Sequence, residues 1–243
     1  MSTPDPVASR DFYAGLFGWT WADASVDGYL NFFLDDRAVA GLRSGDPAAP
    51  ATWTPYVATA DVDATIALAR EHGGTVVGGP AALGDAARVA VVADPTGAAI
   101  GLWQRLRFAG SQVANEFGTV CWSELATRAP ADAITFYDNV FGWSHRVSEA
   151  ADGTPYTEWI REDRTVAGVI DIESWFADSV PAHWTVTMLV EDCARTAARA
   201  LDLGGKVQLT PTDIGVGMYA QLIDPQGAGF RVLELDPELA AAL

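Results

Sequence analysis

Asp11-Phe-Tyr-Ala-Gly-Leu-Phe-Gly-Trp19 and Thr135-Phe-Tyr-Asp-Asn-Val-Phe-Gly-Trp143 spell one pattern twice, 124 residues apart. Downstream, Asp36-Arg-Ala-Val-Ala-Gly41 returns as Asp163-Arg-Thr-Val-Ala-Gly168. Trp53-Thr54, Asp61 and Gly73-Gly74 return as Trp184-Thr185, Asp192 and Gly204-Gly205, and Asp94-Pro-Thr-Gly97 returns as Asp224-Pro-Gln-Gly227. The offset between partners stays between 124 and 131. Landmarks kept in one order at a near-constant offset mark a duplication. The halves meet between Phe108 and Asn115, a Gly-, Ser- and Gln-containing stretch. This gives a first domain over 1–107 and a second over 116–243.

Each half subdivides. In the second, Phe117–Ala126 reads as a strand and Pro130–Phe141 as a helix. Pro opens the helix, and Ile134, Tyr137 and Phe141 share one face. Strand-like runs follow near Trp143–Val147, Tyr156–Arg161 and Thr165–Ile170. The pattern then restarts with strand Trp184–Val190, helix Cys193–Leu203 and strands Lys206–Leu209, Met218–Asp224 and Gly229–Leu235. Asp192 suits an N-cap and Gly204 the residue that ends the helix. The first half repeats this through Pro6–Phe17, Tyr29–Leu34, Ala38–Leu42, Trp53–Ala60, Val62–His72, Arg88–Ala93 and Ala99–Gln104. Aligned on Phe12 and Phe136, the counterpart of Phe117–Ala126 would end just before Ser2, so the opening strand of the first module is expected to be missing. The expectation is an α+β fold of tandem βαβββ modules, forming two curved, cup-like mixed sheets with helices outside.

The chain has 32 acidic against 15 basic residues, a formal net charge of −17. Such a surface repels polyanions, and no Lys/Arg cluster offsets it, so neither nucleic acid nor an anionic membrane is an expected partner. No apolar run reaches membrane-spanning length and no signal-type h-region opens the chain, which points to the cytoplasm. Cys121 and Cys193 belong to no CxxC and read as reduced, free thiols.

The module pattern, the Phe-Tyr-x-x-x-Phe-Gly-Trp helix ends and the Asp-Pro-x-Gly turns resemble the vicinal oxygen chelate superfamily, and most nearly its two-domain, glyoxalase-like bacterial members. The resemblance implies cups whose concave faces hold a small-molecule ligand. In metal enzymes of that superfamily, His or Glu on the first strand of a module and Glu on the last strand bind a divalent ion. Carried over residue by residue, the first-strand positions here are Trp122, Thr185 and Thr54, and the last-strand positions are Gly101 and Arg231. Trp and Gly supply no ligand and Arg repels a cation. None of His72, His145 and His183 falls on such a position, so the expectation is no metal and no cofactor.

Strand alternation orients the rest. If Trp122 faces the cup, so does Glu124. If Thr185 does, so do Thr187 and His183, with Arg231 on the last strand and Tyr219 or Gln221 beside it. Either Tyr156 and Glu158 or Thr157 and Trp159 point inward; parity leaves both open. A carboxylate in largely apolar surroundings suits proton transfer near neutral pH, so Glu124 is the candidate acid/base. Its structural alternative is an ion pair with Arg231. Arg231 would hold a ligand oxyanion, and His183 is a second candidate base unless simply solvated on the rim. Trp122, Trp159 and Trp103 are candidates for stacking on an aromatic ligand. The residues thus suggest a metal-independent lyase- or isomerase-type enzyme. It would act by proton transfer on a small, hydrophobic or aromatic, carbonyl-bearing metabolite. The alternative is a non-catalytic protein that sequesters an antibiotic-like compound. Either would work as a monomer or homodimer.

Overall fold

A computed structural model describes the chain except for residues 25, 27, 150–152, 154, 174–176 and 241–243 and the side chain of 240. The elements run β1 (Ser2–Thr3), α1 (Pro6–Phe17), β2 (Thr20–Asp23), β3 (Tyr29–Leu34), β4 (Arg37–Ser44), β5 (Tyr56–Thr59), α2 (Val62–Glu71), β6 (Thr75–Leu83), β7 (Ala87–Ala93), β8 (Ala99–Arg105), β9 (Val120–Thr127), α3 (Pro130–Phe141), β10 (Ser144–Glu149), β11 (Pro155–Arg161), β12 (Arg164–Asp171), β13 (His183–Leu189), α4 (Cys193–Asp202), β14 (Lys206–Asp213), β15 (Gly217–Ile223), β16 (Gly229–Leu235) and α5 (Pro237–Ala240). The α+β class and the repeated βαβββ order are as the sequence implies.

The helix ends explain the repeated motif. Asp5 caps α1 by accepting from the Ala8 amide at 3.0 Å, Pro6 opens it, and Gly18 closes it at φ 72°. Pro130 opens α3 in the same way and Gly142 closes it at φ 65°. A left-handed residue at a helix end is strained for any side chain, which is why Phe-Gly-Trp recurs there. Asp61 and Asp192 cap α2 and α4.

The chain forms two compact units, and they cut across the repeat. Unit 1 comprises Met1–Trp53, Gly110–Cys121 and Val186–Leu243, so it joins the first module to the fourth. Unit 2 comprises Thr54–Ala109 and Trp122–Thr185, joining the second module to the third. The repeat and the compact units therefore divide the chain differently. The core of unit 1 shows the cause. Phe12 and Tyr13 of α1 pack with Cys193 and Ala197 of α4 and with Phe230 of β16, so the apolar faces of two distant modules close on each other. In unit 2, Phe136 and Tyr137 of α3 pack with Val62, Ile66 and Ala69 of α2 and with Trp159 and Trp184.

In unit 1, β1–β4–β3–β2 form one ladder, and β13, β16, β15 and β14 pair in that order. In unit 2 the orders are β5–β8–β7–β6 and β10–β11–β12–β9. The opening strand of the first module is a correction to the sequence reading. A two-residue strand, β1, stands there, parallel to β4 through Ser2↔Arg43 and Thr3↔Ser44. This repeats the parallel pairing of β9 with β12. Two polar residues are too few to show any alternation. β2 and β6 were not read from the sequence either. All four β2 residues are exposed, and Gly78-Gly79-Pro80 interrupts β6, where its register against β7 shifts.

Candidate functional site

In unit 2, β9, β12 and β11 lie side by side. Glu124 is level with Gly168, and Gly168 with Glu158. Paired residues share a face, so Glu124, Gly168 and Glu158 line one side, and Tyr156 and Trp122 join them by period-two alternation. Thr157 and Trp159 point the other way. Trp159 is fully buried, its ring tilted against those of Tyr137, Trp143 and Trp184. It lies in the core of unit 2.

On the Glu124 face, three side chains form a hydrogen-bonded chain. The Trp122 indole Nε1–H donates to the Tyr156 hydroxyl at 2.8 Å. The Tyr156 hydroxyl donates to Oε2 of Glu124 at 2.9 Å. All three are half-buried. Tyr156 reaches this position because Gly168 has no side chain: a Cβ there would fall on the Tyr156 hydroxyl. The same device occurs in unit 1, where Tyr29 lies over Gly41. Beside the triad, Glu158 is 19% exposed and bridges to Arg146 at 2.7 Å.

The remaining candidates fall in several places. His183 is half-buried and its Nδ1 lies 2.9 Å from the Pro181 carbonyl. Thr185 is 4% exposed and its hydroxyl has no hydrogen-bond partner. Trp103 is buried, with its indole N–H donating to the Phe108 carbonyl. In unit 1, Thr187 is level with Arg231, and Arg231 with Gln221. Arg231 is 5% exposed, with its guanidinium 5.5 Å from the centre of the Tyr219 ring. Gln221 meets Gln208 at 3.3 Å. Sequence reasoning left Tyr156 as one of two parity choices. The signal that picks it out is the Tyr-to-Gly spacing shared by Tyr29/Gly41 and Tyr156/Gly168.

Neither thiol is poised for nucleophilic work. Burial pushes Cys121 up to about 12 and Cys193 up to about 11, the latter helped by Glu234 and Asp192.

This fold and duplicated pattern place the chain in the glyoxalase/bleomycin resistance protein/dioxygenase superfamily, to which it belongs. That superfamily's description matches residues 1–102, and a glyoxalase-like domain matches residues 120–233. The chain is 40% identical over 247 residues to "Putative glyoxylase CFP32" of Mycobacterium tuberculosis, covering 98% of this chain and 94% of that one. It is 36% identical over 260 residues to "Anthracycline biosynthesis protein DnrV" of Streptomyces peucetius, covering 100% and 94%. Among solved structures, the Mn(II)-bound glyoxalase of Novosphingobium aromaticivorans matches with a TM-score of 0.64 at 18% identity, over 97% of this chain and 80% of that one. Homoprotocatechuate 2,3-dioxygenase of Arthrobacter globiformis matches with a TM-score of 0.65 at 17% identity, over 96% and 76%. These two share the fold.

The Mn(II)-bound glyoxalase raises the question of a divalent ion, and the residues present do not fit one. The indole of Trp122 is a donor with no lone pair to give, and it is engaged with Tyr156. Gly101 has no side chain, and the Tyr56 ring fills the space a Cβ would need. Arg231 is a cation. Among the described residues, no three His, Cys, Asp or Glu side chains converge as a ligand set. No helix among the described residues is long and apolar enough to cross a membrane.

Proposed function

We propose that the protein is a metal-independent enzyme of secondary metabolism that moves a proton on a small, aromatic or hydrophobic, carbonyl-bearing substrate. The observation that carries this is the Trp122–Tyr156–Glu124 chain. Glu124 takes a proton from a carbon acid next to a carbonyl and returns it at another position. Tyr156 holds the carboxylate in one orientation through its O–H, and Trp122 holds Tyr156 by donating to the phenolic oxygen. An oriented base is faster than a mobile one because the reacting atoms need no search. The face of the Trp122 ring offers an aromatic substrate a stacking surface. The anthracycline-biosynthesis name of one relative supports an aromatic, polyketide-like substrate class.

The test is proton exchange. The protein is incubated in D2O with a panel of aromatic polyketide ketones and quinones, and deuterium entry next to the carbonyl is followed by NMR. Exchange catalysed by the wild type and lost in Glu124→Gln supports the proposal. Saturable binding with no exchange for any binder overturns it. That outcome leaves the second reading, a sequestering protein, which the half-buried Trp122 and the net charge of −17 favour for cationic aromatic compounds.

A further inference from the structure

The Trp122–Tyr156–Glu124 chain spends its own donors. The Trp122 N–H goes to the Tyr156 hydroxyl, and the Tyr156 O–H goes to Glu124. What the chain presents to a substrate is an indole ring and a proton acceptor. A ketone that is to keep its reacting carbon beside Glu124 needs a second grip on the same face.

The ladder supplies one. A single row crosses all four of its strands: Arg146 on β10 is level with Glu158, Glu158 with Gly168, and Gly168 with Glu124. Level residues share a face, so Arg146 stands on the Glu124 side. The next residue back along β10 supports this from the other side: His145 turns to α3, with its Nδ1 2.7 Å from Oδ2 of Asp138. Adjacent strands lie about 4.8 Å apart, which separates the Cα atoms of Arg146 and Glu124 by about 14 Å. The Arg146 side chain leans inward across β11 and shortens that span. Its Nη2 and Nε both meet Oε2 of Glu158, at 2.7 and 3.2 Å. A guanidinium has five N–H donors. Glu158 takes none from Nη1, and the Arg146 side chain is 58% exposed. Glu158 therefore aims the guanidinium along the row and leaves part of its fork open. Between Glu158 and Glu124 the row holds Gly168, which raises no side chain of its own.

We propose that Arg146 selects the substrate by binding an acidic oxygen, a carboxylate or an ionised phenol, on the edge of an extended aromatic ketone opposite the carbon that Glu124 deprotonates. This rests on Glu124 as the base and narrows the substrate class of that site. The planar guanidinium fork suits an oxyanion better than any other side chain does. The proton still passes from carbon to the Glu124 carboxylate and back, and Arg146 forms and breaks no covalent bond. A compound too short to span the row reaches one end or the other, not both.

The test uses three probes with one skeleton: a linear benzo-fused tetralone, the same ketone with a carboxylate on its distal ring, and the same ketone with an aminomethyl group there. Calorimetric titration reads affinity, and NMR in D2O reads deuterium entry next to the carbonyl. Wild type is expected to bind the carboxylate probe about tenfold or more tighter than the parent ketone, seen also as a lower KM for exchange. That preference should collapse in Arg146→Met and pass to the aminomethyl probe in Arg146→Glu. Both variants replace a mostly exposed side chain, and thermal melting should find both folded. A wild type that binds no probe, ignores the carboxylate or prefers the aminomethyl probe overturns the proposal. So does a carboxylate preference that survives Arg146→Met. The fate of the base is read separately. Exchange lost in Glu124→Gln without any carboxylate preference keeps the base and removes Arg146. An Arg146-dependent preference in binding, with no exchange of any probe, keeps the oxyanion site and removes the base.

Discussion

The phenol of Tyr13 donates to the carboxylate of Asp224 at 3.1 Å although 211 residues separate them. The Trp53 indole donates to the same phenol at 2.7 Å. Asp224 also accepts from the amides of Gln226 and Ala228. In unit 2, Tyr137, Asp94 and Trp184 repeat the arrangement. Three of the landmarks that reveal the duplication, Phe-Tyr, Trp-Thr and Asp-Pro-x-Gly, are thus the three corners of a buried latch that ties one module to another. Tyr13→Phe is expected to cost about 1–3 kcal/mol, the range for stranding buried hydrogen-bonding partners. Urea unfolding measures it; a loss within error would show that the latch contributes nothing net.

The latch also has a pH signature. Burial, and next the Asp224 charge, push the Tyr13 hydroxyl well above the ordinary phenol range, and Tyr137 is raised likewise beside Asp94. Folded values above unfolded ones mean stability that is whole below the unfolded pKa, about 10, and lost as pH rises past it. Burial also raises Asp224, against the opposing hydrogen bonds. By the same sign, its contribution is whole below about pH 4 and declines as pH rises through the folded value. Melting of wild type and Asp224→Asn from pH 3.5 upward should show the wild type losing ground to the variant. Parallel curves would refute this.

Much of the fold was legible because the signals were local. Pro130 and Gly142 bracket α3, and its bounds were read residue for residue. Tyr29–Leu34 and Gly229–Leu235 were read as found. The pairing of modules was not legible, because it rests on contacts such as Tyr13–Asp224 that no window of sequence contains. At the site, alternation placed Trp122 and Glu124 on one face. It left Tyr156 against Trp159 undecided, since both are aromatic and two strand faces look alike until one is packed. Tyr137 and Trp184 take Trp159 into the core, and that leaves Tyr156 for Glu124.

Gly168→Ala tests the site without touching its polar atoms. The new methyl group would fall on the Tyr156 hydroxyl, so the phenol must move off Glu124. Overpacking of this kind costs about 1–3 kcal/mol, which thermal melting will register. Trp122 loses its acceptor, so its emission should change, and deuterium exchange should fall by about tenfold or more. Unchanged exchange would mean that Tyr156 does not position the base.

Chelation should be without effect. With Trp122, Gly101 and Arg231 offering no ligand to a cation, protein dialysed against EDTA is expected to keep its ligand affinity and exchange rate, and elemental analysis to find far less than one equivalent of any transition metal. Near-stoichiometric metal, lost with activity on chelation and restored on readdition, would overturn the metal-free reading.

Glu124→Gln isolates proton transfer from binding. The amide has the size of the carboxylate, and its oxygen still accepts from Tyr156, so the Trp122–Tyr156 geometry persists. What it lacks is a site that takes a proton from carbon. If Glu124 is the base, turnover or exchange should fall by about two to four orders of magnitude, with ligand affinity and melting temperature close to wild type. If Glu124 serves only to recognise a ligand, affinity shifts and there is no turnover to lose. If it serves only the fold, the melting temperature drops and exchange falls no further than the folded fraction does. Tyr156→Phe orders these outcomes further. Loss of the hydroxyl leaves Glu124 able to accept a proton but without the O–H of Tyr156 to orient it, so exchange should fall less than in Glu124→Gln, and the two changes together should cost no more than Glu124→Gln alone. Additive losses would mean that the two residues act separately, and the relay read from their 2.9 Å contact would have to be abandoned.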